Sequence, residues 1–184
     1  MARAKRPAST GDILRSLLVI LVPLVIISIV FTRVPRDVAV KVVDWRPTLT
    51  TARAEAPFPV LAPLNLPEGW RATRVSWVRQ GEASLNGERS PRNAWQLGFL
   101  TPDDVYLGLS QGDLEPQDLI KGQTREGVAD GQSVLGGATW VRFVSPDDRT
   151  RSLVLSQPEV TTIVSGDLPY EALGSYVTTL SSTG

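Results

Sequence analysis

Hydrophobic and polar positions along this chain fall into three successive regimes, and each predicts a different kind of structure. The first is ILRSLLVILVPLVIISIVF, from Ile13 to Phe31, which is apolar on every side of a helix and carries one charge, Arg15. A buried helix of a soluble domain would keep a polar stripe, and here only Ser16 and Ser28 interrupt the run. A cleaved signal peptide would have a shorter apolar stretch and a small-residue cleavage site, whereas FTRVPRDVAV follows. The length suits the roughly 20 residues a helix needs to cross the hydrocarbon of a bilayer. Arg15 can reach back to the headgroups, and Pro23 is tolerated as a modest kink. Residues 13–32 therefore read as a transmembrane helix that contacts the lipid bilayer, with 1–12 as a cytoplasmic tail.

In the second regime, 33–66, prolines recur at Pro35, Pro47, Pro57, Pro59 and Pro63. That density suits an extended stalk and docking segment better than a helix or an inner strand. Within it, PTLTTARAEA predicts a short helix with Thr48 as N-cap and Leu49, Ala52, Arg53 and Ala56 on one side. APFPVLAP should run extended with Phe58, Val60 and Leu61 docked, and LPEGW should close the stretch with a turn.

The third regime, 67–184, alternates with period two. RATRVSWV, AWQLGFL, VYLGLS, ATWVRFV, RSLVLS and EVTTIV read as strands, with Trp95, Leu97 and Phe99 on one face and Val105, Leu107 and Leu109 on one face. DLEPQDLIKG reads as a two-turn helix ended by Gly122, and TREGVADGQSVLGG as a loop or weak strand. PYEALGSYVTTL places Tyr170, Leu173, Val177 and Leu180 in a stripe that predicts a C-terminal helix covering one sheet face. Strands in series with helices at the ends indicate α+β: an N-terminal transmembrane helix, then a mainly antiparallel sheet with a C-terminal covering helix.

The order VVDW, APFPVLAP, LPEGWRATRVSW after an N-terminal apolar span resembles a family of actinobacterial single-pass membrane proteins catalogued as a domain of unknown function. The resemblance covers most of the chain, and the PFPVLAP…LPEGW entry is its most specific part. It implies an envelope protein and supplies no catalytic residues.

Composition changes this picture in two ways. The 184 residues include no Cys and no His, which removes thiolate nucleophiles, His-based triads and nearly all ordinary zinc or haem sites. The zero net charge is split: six basic residues face one acidic up to Arg36, and 13 face 18 beyond it. The short basic tail favours a cytoplasmic N-terminus and an extracytoplasmic 67–184, and the acidic remainder makes nucleic acid an unsuitable partner.

Two acidic pairs invite a catalytic reading, Asp103/Asp104 in FLTPDDVYLGLS and Asp147/Asp148 in FVSPDDRTRSLVL. Thr-Pro-Asp-Asp and Ser-Pro-Asp-Asp instead match a type I turn between two strands, and adjacent hydrated carboxylates lack the burial a general acid requires. A calcium role would need an ordered acidic loop that is absent. Candidate ligand or partner residues are the aromatic and cationic strand positions Trp70, Trp77, Arg71, Arg74, Trp140 and Arg142. The reading is a membrane-anchored envelope protein, non-enzymatic and without cofactor or metal, whose outer domain binds another envelope protein or lipid. A lipid or hydrophobic-ligand carrier is the second reading, and a carboxylate-based envelope hydrolase the third.

Overall fold

The computed structural model describes residues 10–32, 41–84 and 87–183, in two separate units, Met1–Val40 and Lys41–Gly184. The tail expected at 1–12 and the first part of the stalk, 33–40, lie wholly or mostly outside the described residues. In the first unit, helix α1 runs Thr10–Thr32, with Pro23 inside it. The longest unbroken run of described side chains on it is 15–25. Among the described residues, no helix is long and apolar enough to cross a membrane.

The second unit is α+β. Helix α2 (Arg46–Glu55) and the two-residue strand β1 (Ala62–Pro63) precede β2 (Arg71–Val78), β3 (Ala94–Leu100) and β4 (Tyr106–Gly112). After helix α3 (Pro116–Gln123) come β5 (Val128–Leu135), β6 (Ala138–Val144), β7 (Arg151–Ser156) and β8 (Thr161–Gly166), then helix α4 (Tyr170–Val177) and the short β9 (Leu180–Ser181). The seven long strands form one antiparallel sheet in the order β2-β3-β4-β8-β7-β6-β5. The chain builds β2 to β4 as a meander, crosses through α3 to the far edge, and returns as a second meander until β8 meets β4.

Period-two alternation divides the sheet into two unlike faces. One carries Trp95, Leu97, Phe99, Leu107, Leu109, Trp140, Leu153 and Val164, all buried, and is covered by α2, the Pro-rich segment and α4. Burying each large side chain contributes about 1.5–3 kcal/mol, so this face dominates stability. Its centre is aromatic: Trp45 meets Phe99 edge-on at 6.5 Å, and Trp70 stacks on Tyr176 at 5.9 Å. The other face has a smaller cluster in which α3 lays Leu119 on Val154 and Ile163.

The boundary expected at 67 falls instead at 41. The docking expected of Phe58, Val60 and Leu61 holds, and Trp45, Leu49, Ala52 and Ala62 join them in the core, so 41–66 packs as part of the unit Lys41–Gly184. Three prolines bar the segment around Phe58 from an ordinary ladder, and side chains supply its partners instead. The buried Gln111 amide accepts from Leu61 N–H at 2.7 Å and donates to Pro59 C=O at 3.2 Å, while Trp95 Nε1 donates to Leu61 C=O at 2.9 Å. Beyond it, β1 pairs with β9, tying this segment to the C-terminus.

Two further expectations are corrected, and of the two readings given for 124–137 the strand holds. Helix α2 starts at Arg46, two residues before the expected cap Thr48; Pro47 sits in its first turn, where a missing N–H costs nothing, and Asp44 accepts from Arg46 N–H at 3.1 Å. The stretch read as a loop or weak strand is the full edge strand β5, joined to β6 by Gly136-Gly137, both at positive φ as a two-residue hairpin turn demands. The C-terminal helix stops at Val177, so Tyr170, Leu173 and Val177 share it while Leu180 pairs in β9.

Candidate functional site

The face opposite the aromatic core is open over β2 and β3, while over β4 the end of α3 reaches Ser110 through Gln123. Alternation places Arg74, Ser76, Gln96, Gly98, Gly108 and Ser110 there, small or polar positions that leave a floor with little side-chain bulk. Gly98 and Gly108 pair directly across β3 and β4, and the Tyr106 ring lies over both. A methyl group at Gly98 would stand 2.5 Å from the Tyr106 hydroxyl oxygen and 3.0 Å from Arg74 Cβ. The two glycines are therefore the seat of this ring. Although the residue is 43% exposed, its ring is pressed against the sheet; burial pushes the phenol's pKa up and the Arg74 charge draws it back.

Two clefts lie on this face. One, of about 800 Å³, is bounded by β2, β3 and α3, with Val78, Arg92, Ala94, Gln96 and Leu119 in its wall. The other, of about 580 Å³, is framed by Tyr106, Arg125, Arg149, Ser165 and Asp167. Arg74, Gly122 and Gln123 line both, so the clefts meet between β2 and the end of α3. Arg92 is nearly buried, bonds Glu115 at 2.9 Å, and leaves its Nε without a partner. A third cleft, of about 510 Å³, lies between β5, β6 and α4.

The six sequence candidates do not form one surface. Trp140 is core, and Trp70 and Trp77 are half-buried against it. Trp70 stacks on Tyr176, while Trp77 donates to Glu55 Oε2 at 2.8 Å. Arg71 pairs with Asp104 at the β3–β4 corner. Arg74 alone occupies the uncovered trough. Arg142 donates to Ser133 Oγ at 2.7 Å and lies over the Tyr170 ring at 5.0 Å, with Arg151 over the same ring at 5.9 Å. Burial and a hydrogen bond to Asp130 push the Tyr170 phenol up to about 12. Composition and periodicity passed over Tyr106, Arg92, Gln123 and Arg125. The available signal was Gly98 and Gly108, since a glycine inside a strand marks close approach of another group.

Both acidic pairs sit at hairpin corners. Asp104 N–H donates to Thr101 C=O at 3.0 Å and Asp148 N–H to Ser145 C=O at 2.9 Å, closing β3–β4 and β6–β7. Asp104 and Asp148 take φ of 59° and 56° as the residues that end each turn. Asp147 accepts from the Ser145 hydroxyl and from Arg149 N–H, which together hold its carboxyl below its ordinary value. Among the described residues, no three His, Cys, Asp or Glu side chains gather where they could hold a metal ion.

No curated protein matches the chain. Among solved structures, it is similar to a chain of the Pseudomonas aeruginosa MucA/MucB complex, with 14% identity and a TM-score of 0.37, over 66% of this chain and 34% of that one. It is similar at the same identity and TM-score to a chain in the crystal structure of MucB with MucA(peri), over 68% of this chain and 37% of that one. The chain thus spans little more than a third of the solved chains it matches. Residues 5–180, nearly the whole sequence and both units, match the family described as protein of unknown function (DUF4245), and the chain belongs to that family.

Proposed function

We propose that this protein is a single-pass membrane-anchored protein of the cell envelope, of actinobacterial type, whose extracytoplasmic unit Lys41–Gly184 acts by binding or assembly and not by catalysis. The observation that supports it is the trough over β2 and β3 beside α3, where two clefts meet at Arg74. Folding stability does not require that face to stay open, whereas a ligand or partner does. The aromatic face supports no carrier chamber, because α2, the Pro-rich segment and α4 fill it with side chains.

The anchor rests on the sequence of α1. As a helix, the apolar run Ile13 to Phe31 would extend roughly 28 Å at 1.5 Å each, close to a bilayer core of about 30 Å. Residues 17–30 include no charged side chain, and the basic tail favours a cytoplasmic N-terminus. The full chain is expected to stay with the membrane pellet through an alkaline carbonate wash, and a chain begun at Lys41 to be released. Release of the full chain by the wash would contradict the anchor.

A further inference from the structure

We propose that the trough binds a phosphate ester, its phosphate held between Arg74 and Arg125 beside Tyr106 and its organic part lying along the neighbouring cleft toward Leu119. The proposal rests on the reading of Lys41–Gly184 as a binding unit and names the chemistry of what it binds.

Charge within the smaller cleft is uneven. Arg149 is engaged by Asp167 at 3.3 Å, and Asp104 by Arg71. Arg74 and Arg125 have no carboxylate within salt-bridge reach among the described residues, yet they face one cavity from different elements, β2 and the loop after α3. Neutral donors complete the wall. The Tyr106 phenol is seated on its glycine pair, and Ser165 Oγ lies beside Gly108. Ser110 Oγ donates to Gln123 Oε1 at 3.0 Å, which orients the Gln123 amide nitrogen as a donor.

This set of donors decides between anions. A carboxylate offers two oxygens, while a phosphate ester offers three around one centre and pairs with guanidinium groups in a planar fork. Volume decides between inorganic phosphate and an ester. About 580 Å³ exceeds what a bare phosphate fills, and beyond Arg74 and Gln123 the trough opens into about 800 Å³ walled by Val78, Ala94 and Leu119. An organic group would remove apolar surface from water there at about 25 cal/mol per Å².

The test uses the full chain in dodecylmaltoside micelles, with binding followed by calorimetry. The probes are inorganic phosphate, glycerol 3-phosphate, and micelles doped with phosphatidylglycerol or with phosphate-free diacylglycerol. Binding by a phosphate-bearing probe is expected to weaken at least about tenfold in Arg74→Gln/Arg125→Gln, the loss of a charge-assisted bond, and to be unmoved in Arg89→Gln, which lines neither cleft. Ala94→Trp, which narrows the larger cleft, should weaken an ester and leave inorganic phosphate unchanged. Phosphatidylglycerol binding identifies a lipid headgroup as the source, and glycerol 3-phosphate binding alone a soluble ester. Either supports the site if thermal melts show each variant folded. No binding in any arm, equal binding of diacylglycerol, or binding that ignores the double substitution would overturn it. None of these results bears on where the unit sits in the cell, so the site and the envelope reading fail separately.

Discussion

Asp148 takes a conformation that costs an L-residue about 1 kcal/mol and a glycine almost nothing, so the second aspartate of the Ser-Pro-Asp-Asp corner holds its place against a backbone preference. The double substitution Asp147→Asn with Asp148→Gly should therefore keep the fold, with a stability change within about 1 kcal/mol. The pH dependence separates the two positions. Because the Ser145 hydroxyl and Arg149 N–H lower the folded-state pKa of Asp147, its contribution is complete above the unfolded value of about 4 and is lost as pH falls through the folded value. Urea midpoints should thus show the wild type losing any advantage over Asp147→Asn as pH falls below about 4. An advantage that grows on acidification would refute this account of the turn. Gln111 carries more. Gln111→Ala would leave Leu61 N–H and Pro59 C=O without their partner in a buried setting, for an expected loss of about 2–4 kcal/mol by denaturant unfolding.

At the scale of elements, the strands with strong alternation were legible in sequence, since Trp95, Leu97 and Phe99 or Leu107 and Leu109 can share a face in only one register. The turn chemistry of both Pro-Asp-Asp corners was legible for the same reason: local residues determine it. Strand β5 was legible only as one of two readings, because none of its eight residues is buried and its pairing with β6 supplies the order that its own pattern lacks. The Pro-rich segment misled differently. Prolines announce that no ladder forms, but not that Gln111 and Trp95 from distant strands will stand in for one. Spacing matters in the same way: Trp95 and Phe99, four apart, both enter the aromatic core, whereas of Trp140 and Phe143, three apart, only Trp140 does and Phe143 joins the cluster under α3. These packings determine where the folded unit begins. A chain begun at Lys41 should unfold cooperatively near the full unit's stability. One begun at Thr48 lacks Trp45 and the first turn of α2, and should lose about 3–5 kcal/mol. Equal melting of the two would show that 41–47 is dispensable.

For the whole molecule, helix α1 precedes a unit whose sheet is packed hard on one face and partly open on the other. The candidate site was only partly legible, because Arg74 was visible as a strand cation while its companions, Tyr106 on β4 and Gln123 and Arg125 at the end of α3, come from two other segments that only the sheet order and α3 bring together. Orientation across the membrane tests the central claim most directly, and the cysteine-free sequence makes that measurement clean. Single cysteines at Ser182 and Gln157, both exposed, report on the folded unit, and one at Ser9 reports on the tail. Ser152, fully buried, would be unsuitable. In intact cells an impermeant maleimide should label Ser182→Cys and Gln157→Cys at once and Ser9→Cys only after lysis. Labelling of Ser9→Cys in intact cells, with the other two protected until lysis, would contradict the account.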